Sequence, residues 1–146
     1  MSAPKTSEVA DMDAAGALSV SLSKLVALVV AALGPVAWRV FELEATGRGA
    51  LDLAALGERI EREPTGLRMT TDELADAAAD LDQVINAVLV VPGDEEPPTL
   101  PPLDATFYAR CRLVVECVDG NVWRVTTHNN EVHSRLQKEF RDVVTE

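Results

Sequence analysis

The sequence predicts an α+β fold, in which a helical N-terminal portion with one or two short strands precedes a C-terminal antiparallel β-hairpin and an amphipathic terminal helix. Three observations support this prediction. Apolar residues recur at helical spacing between positions 53 and 88, an Asp119-Gly120 turn signal lies between two alternating segments, and a proline-rich segment separates these regions. A chain of 146 residues, 47% of them hydrophobic, is also long enough to bury one core.

The first third of the chain predicts a tail, a buried helix and a strand. Residues 1–16 mix Lys5 with acidic side chains, which favours a disordered N-terminal tail. Residues 17–33 fit either a buried helix or a strand followed by a helix, because "LSVSLS" alternates whereas "LVALVVAAL" is apolar on every side. In "PVAWRVFELEA", the alternation of Val36, Trp38 and Val40 favours a strand.

Two amphipathic helices are predicted in the middle of the chain. In the first, Leu53, Leu56 and Ile60 recur at helical spacing. The second is predicted to begin at Thr70, because Thr70 and Glu73 have the spacing of a capping box. Its apolar stripe is expected to contain the following residues: Leu74, Ala78, Leu81, Ile85 and Val88. "NAVLVV" is a candidate short strand at the end of this segment.

A proline-rich linker is predicted over residues 92–103. Proline has no backbone N–H and therefore cannot donate the hydrogen bonds of a helix interior or a central strand. The linker divides the chain into a mostly helical acidic portion, residues 17–91, and a hairpin-plus-helix unit, residues 104–146. We expect these two portions to pack together as one domain.

The C-terminal hairpin contains both cysteines and both histidines of the chain. A two-residue turn at Asp119-Gly120 would place Cys111 opposite His128, but it would leave neither face of the hairpin apolar. A three-residue loop, beginning at Val118 or at Asp119, puts Cys111, Cys117 and Trp123 on one apolar face. The sequence therefore predicts that both cysteines face the core and that His128 faces outwards.

The segment after the hairpin predicts a helix rather than a metal site. His128 and His133 are five residues apart and lie on either side of a strand-to-helix junction, which is not the spacing of a zinc site. Asn129 or Asn130 is instead a candidate helix cap. The helix is predicted to bury this stripe: Val132, Leu136, Phe140 and Val143. No catalytic motif is present in the sequence, and we expect no catalytic residue, metal or cofactor.

The negative charge is concentrated in the middle of the chain. The net charge of −11 divides into −1 for residues 1–50, −9 for residues 51–100 and −1 for residues 101–146. Such a surface repels the phosphate backbone of nucleic acids and favours a partner protein with a basic surface. The candidate partner-binding residues are Asp72, Glu73, Asp76, Asp80 and Asp82.

These features predict a non-enzymatic, acidic, cytoplasmic protein-binding module, in its most specific form a neutralising or immunity-type inhibitor of a basic protein. A membrane is not an expected partner, because the uncharged stretch from Leu25 to Trp38 is only 14 residues long. Two alternatives stay open. An enzyme without a recognisable motif would show a pocket joining outward residues such as His128, Glu116 and Arg124, whereas an oligomeric or structural subunit would expose an apolar patch on residues 25–41.

Overall fold

The computed structural model describes residues 3–12, 20–93 and 103–146. In chain order, these residues form the following elements: β1 (Lys5–Val9), α1 (Leu22–Leu33), β2 (Ala37–Gly47), α2 (Leu53–Glu61), β3 (Leu67–Thr70), α3 (Thr71–Ala79), β4 (Leu81–Pro92), α4 (Ala105–Arg110), β5 (Cys111–Val118), β6 (Val122–Thr127), α5 (Asn130–Glu139) and β7 (Val143–Thr145).

A single seven-stranded antiparallel sheet dominates the described part of the fold. Its strand order is β3-β2-β4-β5-β6-β1-β7, and every neighbouring pair runs antiparallel. The prediction of a mostly helical N-terminal portion followed by a C-terminal hairpin and helix is therefore wrong. The α+β class holds, but the hairpin β5–β6 is the middle of a sheet whose strands come from the whole chain.

Four helices pack on one face of the sheet and enclose the main core. Buried residues of α1, α2, α3 and α5 join buried strand residues in one continuous hydrophobic cluster. Both tryptophans lie in this cluster, and each indole N–H has an acceptor. Trp123 donates to the carbonyl of Val20 at 3.0 Å, and Trp38 donates to Thr71 Oγ1 at 3.3 Å.

The short helix α4 covers part of the opposite face, called here the outer face. Phe107 of α4 is buried in a smaller cluster with Val88, Val90, Cys111 and Val114. Central strands β4 and β5 are consequently buried on both faces. Such strands carry continuous apolar runs instead of an alternating pattern, and "AVLVV" at 87–91 is one of these runs.

Helix α3 is shorter than predicted, because its apolar stripe continues into β4. The capping box at Thr70 and Glu73 forms as predicted, but the helix ends at Ala79. Asp80 stops it: the Asp80 carbonyl accepts from the Arg48 amide at 2.9 Å, and the Asp80 carboxylate accepts from the Leu51 amide at 2.8 Å. Contacts with the β2–α2 loop thus replace the backbone hydrogen bond that would continue the helix. The helical spacing of Leu81, Ile85 and Val88 is coincidental, because all three residues belong to β4.

Strands β1 and β7 were not anticipated. Residues 1–16 were expected to be a disordered tail, whereas Lys5–Val9 pairs with β6 on one side and with β7 on the other. Val9 and Ser7 are completely buried, because alternate residues of β1 face the helical layer. Of the predicted linker at 92–103, Pro92 belongs to β4 and residues 94–102 lie outside the described residues.

Several local predictions are confirmed. Helix α2 and strand β2 form where expected, and the N-cap of α5 is Asn129. Helix α5 ends at Glu139, however, so Val143 of the predicted helical stripe belongs to β7 instead. Between residues 17 and 33, the described part is the helix α1 with Ser21 as its N-cap. Among the helices that the structure describes, none is long and apolar enough to cross a membrane.

The two-sided burial of β4 predicts that adjacent residues of this strand both matter for stability. Leu89→Ala should lower the free energy of unfolding by about 2 to 5 kcal/mol, and Val90→Ala should lower it by about 1.6 kcal/mol for two buried methyl groups. Urea denaturation followed by tryptophan fluorescence measures both values. Val144→Ala, at a side chain that is 55% exposed, is the control and should change stability by less than about 0.5 kcal/mol. A negligible effect at either Leu89 or Val90 would contradict this packing.

Candidate functional site

The five acidic residues proposed to bind a partner do not form one cluster. Asp72 and Glu73 lie in the first turn of α3, Asp76 lies one turn later, Asp80 caps the end of the helix, and Asp82 is exposed on β4. Three of them, Glu73, Asp76 and Asp80, surround one groove between α2 and α3. Asp82 instead borders a separate small pocket beside Ser21.

The groove between α2 and α3 has an apolar floor and a charged rim. Its volume is about 350 Å³. We call it the α2–α3 groove, and its lining residues are Ala50, Leu51, Leu56, Arg59, Met69, Glu73, Asp76, Ala77 and Asp80. Leu56, Met69 and Ala77 are almost fully buried and also belong to the main core. The floor is therefore held in place by the packing of the domain.

Two of the three rim carboxylates also stabilise local structure. Glu73 accepts from the Thr70 amide at 3.0 Å, and this hydrogen bond lowers the pKa of its carboxyl. Asp80 accepts from the Leu51 amide, as described above. The Asp76 side chain makes no hydrogen bond or ion pair within the described part of the chain. Asp76 is thus the rim residue that can be changed with the least effect on folding.

The surroundings of the groove are strongly acidic. Residues 50–80 contain eight acidic and three basic side chains. One of the bases, Arg62, is already engaged by Glu58 in an exposed ion pair at 3.8 Å. The predicted concentration of negative charge is therefore present around α2 and α3, next to an apolar surface that a partner could contact.

The cysteines and histidines of the hairpin do not form a reactive site. The loop comprises Asp119, Gly120 and Asn121, and Val118 pairs with Val122, which is one of the two registers predicted. Both cysteines are buried and neither forms a disulfide. Cys117 faces the main core as predicted, but Cys111 packs in the smaller cluster under α4, because the β4–β5 register shifts at Pro92. His128 is exposed on the outer face, as predicted.

His133 is part of a buried hydrogen-bond network that sequence reasoning missed. Its Nε2 atom lies 2.9 Å from the carbonyl of Thr127, and its Nδ1 atom lies 2.6 Å from Ser7 Oγ. Ser7 Oγ also contacts Thr145 Oγ1 at 2.7 Å, which in turn accepts from Gln137 at 3.0 Å. The network joins β1, β6, α5 and β7, two of which were not predicted from the sequence.

The two groups at the ends of this network, the Thr127 carbonyl and the Gln137 amide, determine which atom donates in each hydrogen bond. The Thr127 carbonyl can only accept, so Nε2 of His133 carries a proton, and in the neutral ring Nδ1 then accepts from the Ser7 hydroxyl. Ser7 then accepts from Thr145, and Thr145 accepts from the Gln137 amide. Although a serine beside a histidine resembles an activated nucleophile, Ser7 is 0% exposed and no substrate can reach it. The arrangement is structural.

The outer face carries a buried carboxylate beside a tyrosine. Tyr108 of α4 donates to Glu116 of β5 at 2.6 Å, and burial together with this carboxylate raises the pKa of the Tyr108 hydroxyl. Arg124, opposite Glu116 in the β5–β6 pair, contacts Glu8 at 3.4 Å. Of the residues named for the enzyme alternative, His128 lines two cavities beside α4 whose lining includes neither Glu116 nor Arg124.

The described residues contain no cluster of metal ligands, and several large apolar side chains of residues 25–41 lie in the core. No group of three or more metal-ligating side chains is found among them. Within residues 25–41, the side chains of Leu25, Val26, Val29, Trp38 and Val40 are buried in the core. Comparison with protein families, with curated proteins and with solved structures gives no match.

The burial of both thiols predicts low reactivity in the folded protein. Burial raises the pKa of Cys111 and of Cys117 to about 11. At pH 8, roughly one thiol in a thousand is then the reactive thiolate, and the fraction grows as the pH rises towards 11. A disulfide reagent such as Ellman's should label both cysteines slowly in buffer and rapidly in urea. Rapid labelling of either thiol at pH 8 without denaturant would show that it is accessible.

The Ser7–His133 network predicts a stabilising role for the Ser7 hydroxyl. Ser7→Ala removes the donor to His133 Nδ1 and the acceptor for Thr145, and should lower the free energy of unfolding by about 1 to 3 kcal/mol. Chemical denaturation of the purified variant measures this value. The matched control is Ser134→Ala, an exposed position on α5, where less than about 0.5 kcal/mol is expected. Equal stability of the two variants would argue against the network.

Proposed function

We propose that this protein is a non-enzymatic protein-binding module that receives a basic segment of a partner protein in the α2–α3 groove. The observation that carries the proposal is the combination of a buried apolar floor with a rim of carboxylates. A long basic side chain suits such a groove, because its methylene groups can cover the floor while its charge meets the rim. Lysine and arginine are the side chains with this shape.

The floor and the rim would contribute differently to binding. Burial of the exposed parts of Ala50 and Leu51 against a partner would contribute affinity, because Leu56, Met69 and Ala77 are already almost fully buried and support the floor from the core. The exposed carboxylates would mainly raise the rate of association, since a field of one sign attracts an oppositely charged partner over several ångströms. Salt should therefore weaken binding chiefly by slowing association.

In its most specific form, the proposal is that binding neutralises the partner, as an immunity-type inhibitor does. An acidic module that covers a basic surface would block whatever anionic substrate that surface binds. The concentration of negative charge around α2 and α3 supports this form, and the compartment we propose is the cytoplasm. Loss of the partner's own activity in the complex is the readout that separates neutralisation from simple binding.

The proposal predicts that charge reversal in the groove slows association. The tagged protein is first used at low salt to recover its partner, which is identified by mass spectrometry and then purified. Association rates are next measured for the wild type and for Asp76→Lys. Because Asp76 lies on the rim without supporting the fold, we expect the rate to fall about tenfold or more at low salt.

The matched control is Glu42→Lys, which makes the same charge change at an exposed residue of β2 that does not line the groove. Its effect on the association rate should be small, and high salt should reduce the difference between wild type and Asp76→Lys. A partner that associates equally fast with all three proteins would refute the groove as its binding site. A rate that does not depend on salt would refute electrostatic attraction.

A further inference from the structure

The outer face of the sheet is only partly covered by α4. Phe107 anchors the helix over β4 and β5, while the paired strands β1 and β6 extend beyond it. Thr6 of β1 lies opposite Thr126 of β6, and their hydroxyl oxygens are 3.0 Å apart. These two threonines form the floor of an open space whose wall is α4.

The first of two cavities beside α4 is mainly apolar. It has a volume of about 370 Å³ and lies between the start of β1, the end of β6 and α4. Its apolar lining comes from Ala3, Pro4, Ala105, Ala109 and the ring of Tyr108. The hydrogen bond from Tyr108 to Glu116 and the edge-on contact of Tyr108 with Phe107 hold this ring in place. The cavity therefore has a preformed aromatic wall.

The second cavity is basic and adjoins the first. Its volume is about 380 Å³, and it shares Ala109 and His128 with the apolar cavity. Arg110, Arg112 and Asn129 also line it. Among the residues that the structure describes, no carboxylate lines either cavity. In a chain with a net charge of −11, the guanidinium of Arg112 places a positive charge at this cavity.

We propose that these two cavities form one cleft that binds a small amphipathic organic anion. Its apolar body, aromatic or alkyl, lies in the cavity beside Tyr108, and its carboxylate or phosphate group lies near Arg112 and His128. Arginine suits this role because its planar guanidinium can donate two parallel hydrogen bonds to such a group. The combined size falls within the range of about 300 to 1,000 Å³ that is typical of ligand sites. The cleft does not depend on the α2–α3 groove, with which it shares no lining residue.

The direct test is titration of the isotope-labelled protein with 2-naphthoate, followed by NMR. We expect saturable binding with a dissociation constant below about 1 mM, as is usual for a fragment of this size in a preformed site. The shifts should concentrate on Tyr108, Ala109 and His128. Two further probes share the same aromatic body. 1-Naphthyl phosphate shows whether a phosphate binds better than a carboxylate, and 2-naphthylmethylamine, which is a cation, should bind at least tenfold more weakly.

Two variants identify the two halves of the cleft. Arg112→Gln removes the charge and should weaken 2-naphthoate binding about tenfold, whereas Ala109→Phe fills the junction of the cavities and should abolish it. Both positions are exposed, so the changes leave the core intact. The controls are Arg68→Gln on β3 and Ala54→Phe on α2, which make the same changes at exposed positions outside the cleft. Circular dichroism confirms that each variant is folded.

Three results would overturn the proposal. One is the absence of saturable shifts at the cleft of the wild-type protein with both anionic probes. Another is equal binding of 2-naphthylmethylamine, which would show that the charge of the ligand does not matter. The third is unchanged 2-naphthoate affinity in both Arg112→Gln and Ala109→Phe, which would place the bound molecule elsewhere.

Discussion

The structure depends on the burial of β4 and β5 on both of their faces. Leu89 and Val115 point into the main core, while Val90 and Val114 point to the outer face, and all four are nearly inaccessible to water. A sheet with two apolar faces needs a layer on each side. Helices α1, α2, α3 and α5 provide the first layer, and α4 provides a small second one. Because α4 is only six residues long, it covers the middle strands and leaves the strands beyond them open.

Local signals in the sequence were sufficient for elements whose ends are determined by their own residues. The capping box at Thr70, the cap at Asn129 and the turn at Asp119-Gly120 are of this kind, and each was recognised. The end of α3 was missed because it is determined by Arg48 and Leu51, which are about 30 residues away along the chain. Strand β1 was missed because its pairing partners lie more than 110 residues away. Periodicity alone carries no information about such contacts.

The candidate site, like the fold, could be predicted only in its local features. Charge along the chain predicted an acidic surface around α3, and Glu73, Asp76 and Asp80 line one groove. That Asp82 lies apart could not be deduced, because the sequence indicated a continuous helix at a point where the chain turns into a strand. The apolar floor also needed the structure, since it brings together Leu56 of α2 and Met69 of β3. The Ser7–His133 pair illustrates the opposite case, where proximity suggests chemistry but complete burial excludes it.

The two proposed sites differ in charge, and the physics of screening allows them to coexist on one small domain. At physiological ionic strength the field of an exposed charge decays over about 8 Å. The carboxylates of the α2–α3 groove and Arg112 of the cleft belong to separate surfaces that share no lining residue. Each site is therefore governed by its own neighbours rather than by the net charge of the protein. The carboxylates on the rim of the α2–α3 groove would favour a basic partner there without preventing an anion from binding next to Arg112.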